Sequence, residues 1–219
     1  RVAQQDQRRR RQDDDLRQRR PGADWEPSKD RVSDLAVWTR LRHLPPAIVA
    51  TFPIAGTPTI VIGSAERTEK TSTEWVLTVL HEHFHQWQYS RPDYYSGVAR
   101  LDLSRGDTTG MWMLNYAFPY DRADVQQQFV VTSNLLGEPI RARGAQRRQR
   151  VRQYLAARRR FESMVSPADH KYFSFQLWKE GIARYTEDRI ASLAARHHQP
   201  SPEFRALKDY RSYRDVAES

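Results

Sequence analysis

With 38% hydrophobic and 11% aromatic residues, the 219-residue chain can fill one sizeable core, so a single compact domain with charged additions is expected. The absence of cysteine excludes disulfides, thiolate metal ligands and a cysteine nucleophile. The net charge of +9 is concentrated: residues 1–20 carry eight Arg against four Asp and residues 141–160 carry nine Arg and no acid, which leaves a mildly acidic remainder.

Residues 1–28, rich in Arg, Gln and Asp and closed by Pro21, Gly22 and Pro27, read as a charged, flexible or frayed N-terminal arm, with one domain over 29–219. Leu35, Val37, Trp38, Leu41 and Leu44 recur at near-helical spacing, which predicts a helix over 33–44 that Pro45 and Pro46 stop. Residues 48–52 and 57–62 are short and β-branched, divided by Pro53 and Gly56, and predict a strand pair. The most apolar region, 47–62, is broken by Pro53, Gly56 and Pro58 and falls short of the roughly 18 residues of a membrane span, so no transmembrane segment is expected. The first residue is Arg1, compatible with a removed leader, and an exported location ranks just ahead of the cytoplasm.

A helix follows from a Ser72 or Thr73 cap to about Tyr89, with Glu74 in its first turn. Further helices are predicted over 121–136, 145–165, 168–196 and 202–216, with Gly137, Pro139 and Gly144 separating the first two. The fold class is therefore α+β and helix-dominated, with its few strands early. In the segment 106–121, Gly, Met and aromatic residues read as core, with the wall of a substrate cleft as the sharper alternative.

The densest chemistry is His81-Glu82-His83-Phe84-His85. On a helix His81 and His85 share a face with Cβ atoms roughly 5–6 Å apart, so two imidazoles can grip one ion. With Glu82 between them this is the H-E-x-x-H pattern, in which the histidines bind zinc and the glutamate is general base towards the metal-bound water. Zn2+ held by two imidazoles and a third protein ligand keeps one position for water and brings its pKa towards about 7. His83 points about 200° away and cannot share the ion. Val76, Leu80, Phe84 and Trp87 form an apolar stripe expected to pack, and Leu77, His81, His85 and Gln88 a neighbouring face expected to line a cleft.

For the third ligand the segment LWKEGIARYTE, 177–187, offers Glu180 in an apolar helical pattern, where a carboxylate is costly unless paired. Glu187, Asp188 and the remaining histidines are the alternatives. His81, Glu82 and His85, followed by Glu180, Gly181, Ala183 and Tyr185, resemble the gluzincin branch of the zincin metallopeptidases. In that branch H-E-x-x-H on one helix is joined by a Glu from a later helix, often within an E-G-x-A-x-Y-like segment. The resemblance implies a zincin-like domain with a small early sheet, His81, His85 and Glu180 as zinc ligands, and Glu82 as general base. It also implies that strand 57–62 lies beside an extended peptide or protein substrate. The 95 positions between His85 and Glu180 exceed the spacing of the best-known gluzincins. Arg184 stands where many of them have an acid that orients a zinc-bound imidazole, a part open to Glu187. Tyr185, His170 and Tyr172 are the candidate transition-state donors.

The leading expectation is a zinc-dependent hydrolase, most simply a metallopeptidase. The alternatives are a basic binding module for nucleic acid or an acidic polymer, and an inactive metal-binding zincin scaffold. The arginine-rich stretches lack the Gly and aromatic interleaving of single-strand binders, which ranks nucleic acid low.

Overall fold

The structure is a computed structural model, and it describes residues 21–218. It is helix-dominated with two small antiparallel sheets, as the α+β reading expects. The chain gathers into two compact units: one joins the residues up to Trp87 with those from Glu187 onwards, and the other spans Gln88–Thr186. Most of the charged arm expected over 1–28 lies outside the described residues.

The first unit opens with a hairpin of β1 (Glu26–Lys29) and β2 (Ala36–Thr39). The helix expected over 33–44 is therefore not formed. Asp30 accepts from the Ser33 amide at 2.6 Å, and Asp34 takes a left-handed φ of 56°, so a turn occupies the place of the first helical residues. Val37, Trp38 and Thr39 are β-branched or aromatic and settle into the pleat instead.

The expected strand pair forms as β3 (Val49–Ile54) and β4 (Thr57–Ile62), antiparallel and in the register Thr51↔Ile60. Ala55 and Gly56, both at positive φ, make the turn. Gly63 ends β4 where a Cβ would overlap the Pro46 carbonyl oxygen, so no other residue fits there.

Helix α1 (Ser72–Tyr89) follows. Its cap is Thr71 rather than Ser72 or Thr73: Glu74 Oε2 accepts from the Thr71 amide at 2.9 Å and the Glu74 amide reaches back to Thr71 Oγ1 at 3.4 Å, a capping box. Ser72 and Thr73 are instead engaged by the far end of the chain. Asp209 accepts from the Ser72 amide at 2.7 Å, Thr73 Oγ1 donates to the Arg211 carbonyl at 2.6 Å, and Arg211 pairs with Glu74 at 2.6 Å. Leu77 on α1 packs in a small core with Ala191 and Tyr213.

In the second unit α2 (Tyr94–Ala99) and α3 (Trp112–Asn115) lead into a hairpin of α4 (Ala123–Arg141) and α5 (Gly144–Ser163). Gly137 and Pro139 were expected to separate these helices, yet both lie inside α4, and the break falls at Ala142 and Arg143, with Gly144 at φ 56°. The missing N–H of Pro139 interrupts the ladder but the turn after it closes, since the Ala142 amide donates to the Glu138 carbonyl at 3.1 Å. Leu103, Trp112, Phe118, Val125, Phe161, Tyr172 and Phe175 form the core of this unit. The segment 106–121 thus supplies core, through Trp112 and Phe118.

The long helix α6 (Pro167–His197) starts in the second unit and ends in the first. The single helix expected over 202–216 is two short ones, α7 (Pro202–Arg205) and α8 (Tyr213–Ala217), each capped by a serine. Ser212 starts a new cap there, with its hydroxyl accepting from the Asp215 amide.

Candidate metal centre

Within α1 the burial reverses the expectation drawn from its two faces. Leu77, Glu82, His85 and Gln88 are buried, whereas Trp87 of the apolar stripe is 53% exposed. The helix is therefore packed on the face that carries the chemistry.

Two strands of the same unit hold that helix. Thr51 of β3 donates its hydroxyl towards Glu82 Oε2 at 2.8 Å and the Glu82 carbonyl at 2.9 Å, with both residues buried. Gln86 donates to the Pro58 carbonyl of β4 at 2.9 Å, and Trp75 Nε1 to the Gly63 carbonyl at 2.7 Å. β4 thereby lies along α1 from its last turns to its first.

His81 Nδ1 stands 3.0 Å from Glu187 Oε2, with both side chains largely shielded from solvent. A carboxylate only accepts, so in this contact Nδ1 is the donor, and whenever the ring is neutral the lone pair lies on Nε2. That Nε2 faces His85 Nε2 at 3.2 Å. Two nitrogens each about 2.0–2.1 Å from a tetrahedral zinc stand about 3.3 Å apart, so the pair has the spacing of two ligands of one ion. His83, exposed on the opposite side, hydrogen-bonds through Nδ1 to Gln86 and takes no part.

His81 and His85 offer two nitrogen ligands from the first unit, and Glu180, expected as the third ligand, is carried by the second. Glu180 is the half-exposed member, and its carboxylate pairs with Lys179 Nζ at 3.2 Å. Glu187 follows Glu180 by two turns of α6, on nearly the same face. The two imidazole nitrogens, with the Glu187 carboxylate behind one of them, are donors that could hold a metal ion.

Sequence reasoning missed several neighbours of these residues. Thr51 gives no signal, because a strand threonine is ordinary until the strand meets its helix. Lys179 could have been noticed as a cation in the apolar run FSFQLWKEG. It is buried, and although burial pulls its pKa down, Tyr89 and Glu180 outweigh that and hold the ammonium above its ordinary value. Gln88 donates to the Lys179 carbonyl at 3.2 Å. Tyr94 lies tilted against Tyr89 with ring centroids 4.7 Å apart, and burial, then Tyr89, pushes its hydroxyl pKa far up.

Of the candidate transition-state donors, Tyr185 is 64% exposed. Tyr172 is buried, stacked on Tyr116, and spends its hydroxyl on the Met113 carbonyl at 2.8 Å. His170 faces Glu162 at 3.7 Å. A groove of about 300 Å³ in the first unit runs beside β4, lined among others by Trp25, His43, Ile60 and Ile62.

No protein-family model, curated protein or solved structure matches the chain. No described helix is long and apolar enough to cross a membrane.

Proposed function

We propose that the protein is a zinc-dependent hydrolase of zincin-like, gluzincin type, acting on peptide or protein substrates. The observation that carries this reading is the His81–His85 nitrogen pair at 3.2 Å with Glu187 behind His81, and Glu180 is the expected third ligand. A zinc ion bound there would supply a Lewis acid that polarises a carbonyl and lowers the pKa of water.

The protein's own part falls to Glu82. Its carboxylate takes the proton from the water that attacks the carbonyl carbon, and passes it to the leaving amine as the C–N bond breaks. Thr51 holds that carboxylate from the strand side, so its direction is set before substrate arrives. An extended peptide would lie along β4, which among the described residues pairs only with β3.

The test is elemental analysis beside a peptide-library screen of the zinc-loaded protein. About one zinc per chain is expected, lost in His85→Ala and weakened in Glu180→Ala. Cleavage should vanish in Glu82→Gln while the zinc remains. Absence of zinc after reconstitution would remove the reading, and zinc without cleavage would leave a metal-binding scaffold.

A further inference from the structure

The second unit carries a surface that the zinc chemistry does not use. A cavity of about 350 Å³ opens between α4, α5 and α6, lined by Phe129 and Leu136, Tyr154 and Phe161, Phe173 and Leu177, with Arg158 on its α5 wall. Its apolar lining is unusually open to solvent: Phe129 is 41% exposed, Leu136 49% and Leu177 53%. Along α4 the stripe continues in Ile140, which is 78% exposed and lies within about 40° of Phe129 and Leu136 around the helix.

From Arg158 on the cavity wall, the arginines of α5 spread round towards its solvent face. At 100° per residue Arg147, Arg148, Arg152 and Arg159 all lie within about 120° of Arg158, with the partly exposed Leu155 among them. They are exposed. Arg150 is set apart, on the inner face and paired with Glu138 at 3.0 Å. The acid in this sector of α5, Glu162, faces His170.

Exposed guanidinium groups around a stripe of exposed aliphatic side chains have one natural counterpart. Arginine pairs with phosphate while its alkyl stem, and the aliphatic residues beside it, enter an apolar layer. A nucleic acid would use the charges but gain little from Leu136, Ile140 and Leu177, since bases call for planar stacking partners. We propose that this face of α4, α5 and α6 docks on an anionic phospholipid membrane, the arginines on the headgroups and Leu136, Ile140 and Leu177 in the interfacial layer.

The experiment is co-sedimentation of the full chain with phosphatidylcholine vesicles, with and without about 30% phosphatidylglycerol, at low salt. Binding to the anionic vesicles is expected to exceed binding to the neutral ones at least about tenfold. It should fall by about 100-fold in a variant with Arg147, Arg148, Arg152 and Arg159 changed to Gln. Circular dichroism would confirm that this variant is folded, and glutamine suits exposed helical positions. Because the chain has no cysteine, Ile140→Cys gives a single site for a polarity-sensitive fluorophore, whose emission should shift to the blue on anionic vesicles. Equal vesicle binding by the four-arginine variant, or an unshifted fluorophore on bound protein, would overturn the proposal. Tighter binding to duplex DNA or polyuridylate, unaffected by Leu136→Ser with Ile140→Ser, would reassign the face to nucleic acid.

Discussion

Thr51 and Glu82, 31 positions apart, are joined by a hydroxyl-to-carboxylate contact of 2.8 Å between a strand and the helix that carries the histidines. Removing that donor should be felt in stability as well as in chemistry. Thr51→Val keeps the shape and deletes the hydroxyl, so about 1–3 kcal/mol should be lost from the unfolding free energy in urea, and Thr51→Ser should recover most of it. An unchanged midpoint in Thr51→Val would mean that the contact does not hold the strand to the helix.

Glu187 should act through His81 rather than as a ligand. Glu187→Ala is expected to weaken zinc binding by about 10–100-fold in competition with a chelator, and to leave the stoichiometry intact at saturating zinc. A loss as complete as that of His85→Ala would make Glu187 a ligand in its own right.

Gly181 offers a cleaner test of what the segment around Glu180 is for. A Cβ added there meets nothing within 4 Å, and its φ lies outside the region that demands glycine. Gly181→Ala should therefore stabilise the protein by about 0.5–1 kcal/mol in denaturant unfolding, as expected for a helix interior. If stability rises while turnover on a peptide substrate falls, the open space beside Gly181 belongs to the substrate.

The capping box at the start of α1 makes stability depend on pH. Hydrogen bonds from the Thr71 amide and hydroxyl, opposed by some burial and helped by Arg211, hold the Glu74 carboxyl below its ordinary value of 4.5. A depressed folded value means that the stabilisation is fully present above 4.5 and is lost as pH falls through the folded value. Glu74→Gln should lower the thermal midpoint at neutral pH, at a cost of about 1 kcal/mol, and the difference from the unsubstituted protein should shrink as the pH drops below 4.5.

Features that depend on neighbouring residues were the ones legible beforehand. The span of α1 follows from its period and from Pro92 beyond it, and the facing of His81 and His85 follows from a four-residue step. The strand pair β3–β4 follows from β-branched runs around Pro53 and Gly56. Elsewhere the local pattern misled. Residues 33–44 have helical spacing but too few turns to enforce it, and Asp30 with Asp34 builds a turn that decides for a hairpin. Pro139 read as a break because a proline ladder gap is destabilising in isolation, whereas α4 runs on to Arg141. The face of α1 that is buried could not be told from hydropathy, because Glu82, His85 and Gln88 are polar and gain their place through Thr51 of β3, His81 of α1 itself and the Lys179 carbonyl of α6.

The clasp on the first turn of α1 has a consequence for how the molecule comes into being. Asp209 and Arg211 grip Ser72, Thr73 and Glu74 from 137 or 138 positions away. On the ribosome the histidine helix is complete long before these residues are made, so a growing chain holds an unclasped helix until synthesis has passed Arg211. The first turn of this helix is thus sealed by residues made well after it, and the histidines reach their final setting only once synthesis has passed Arg211.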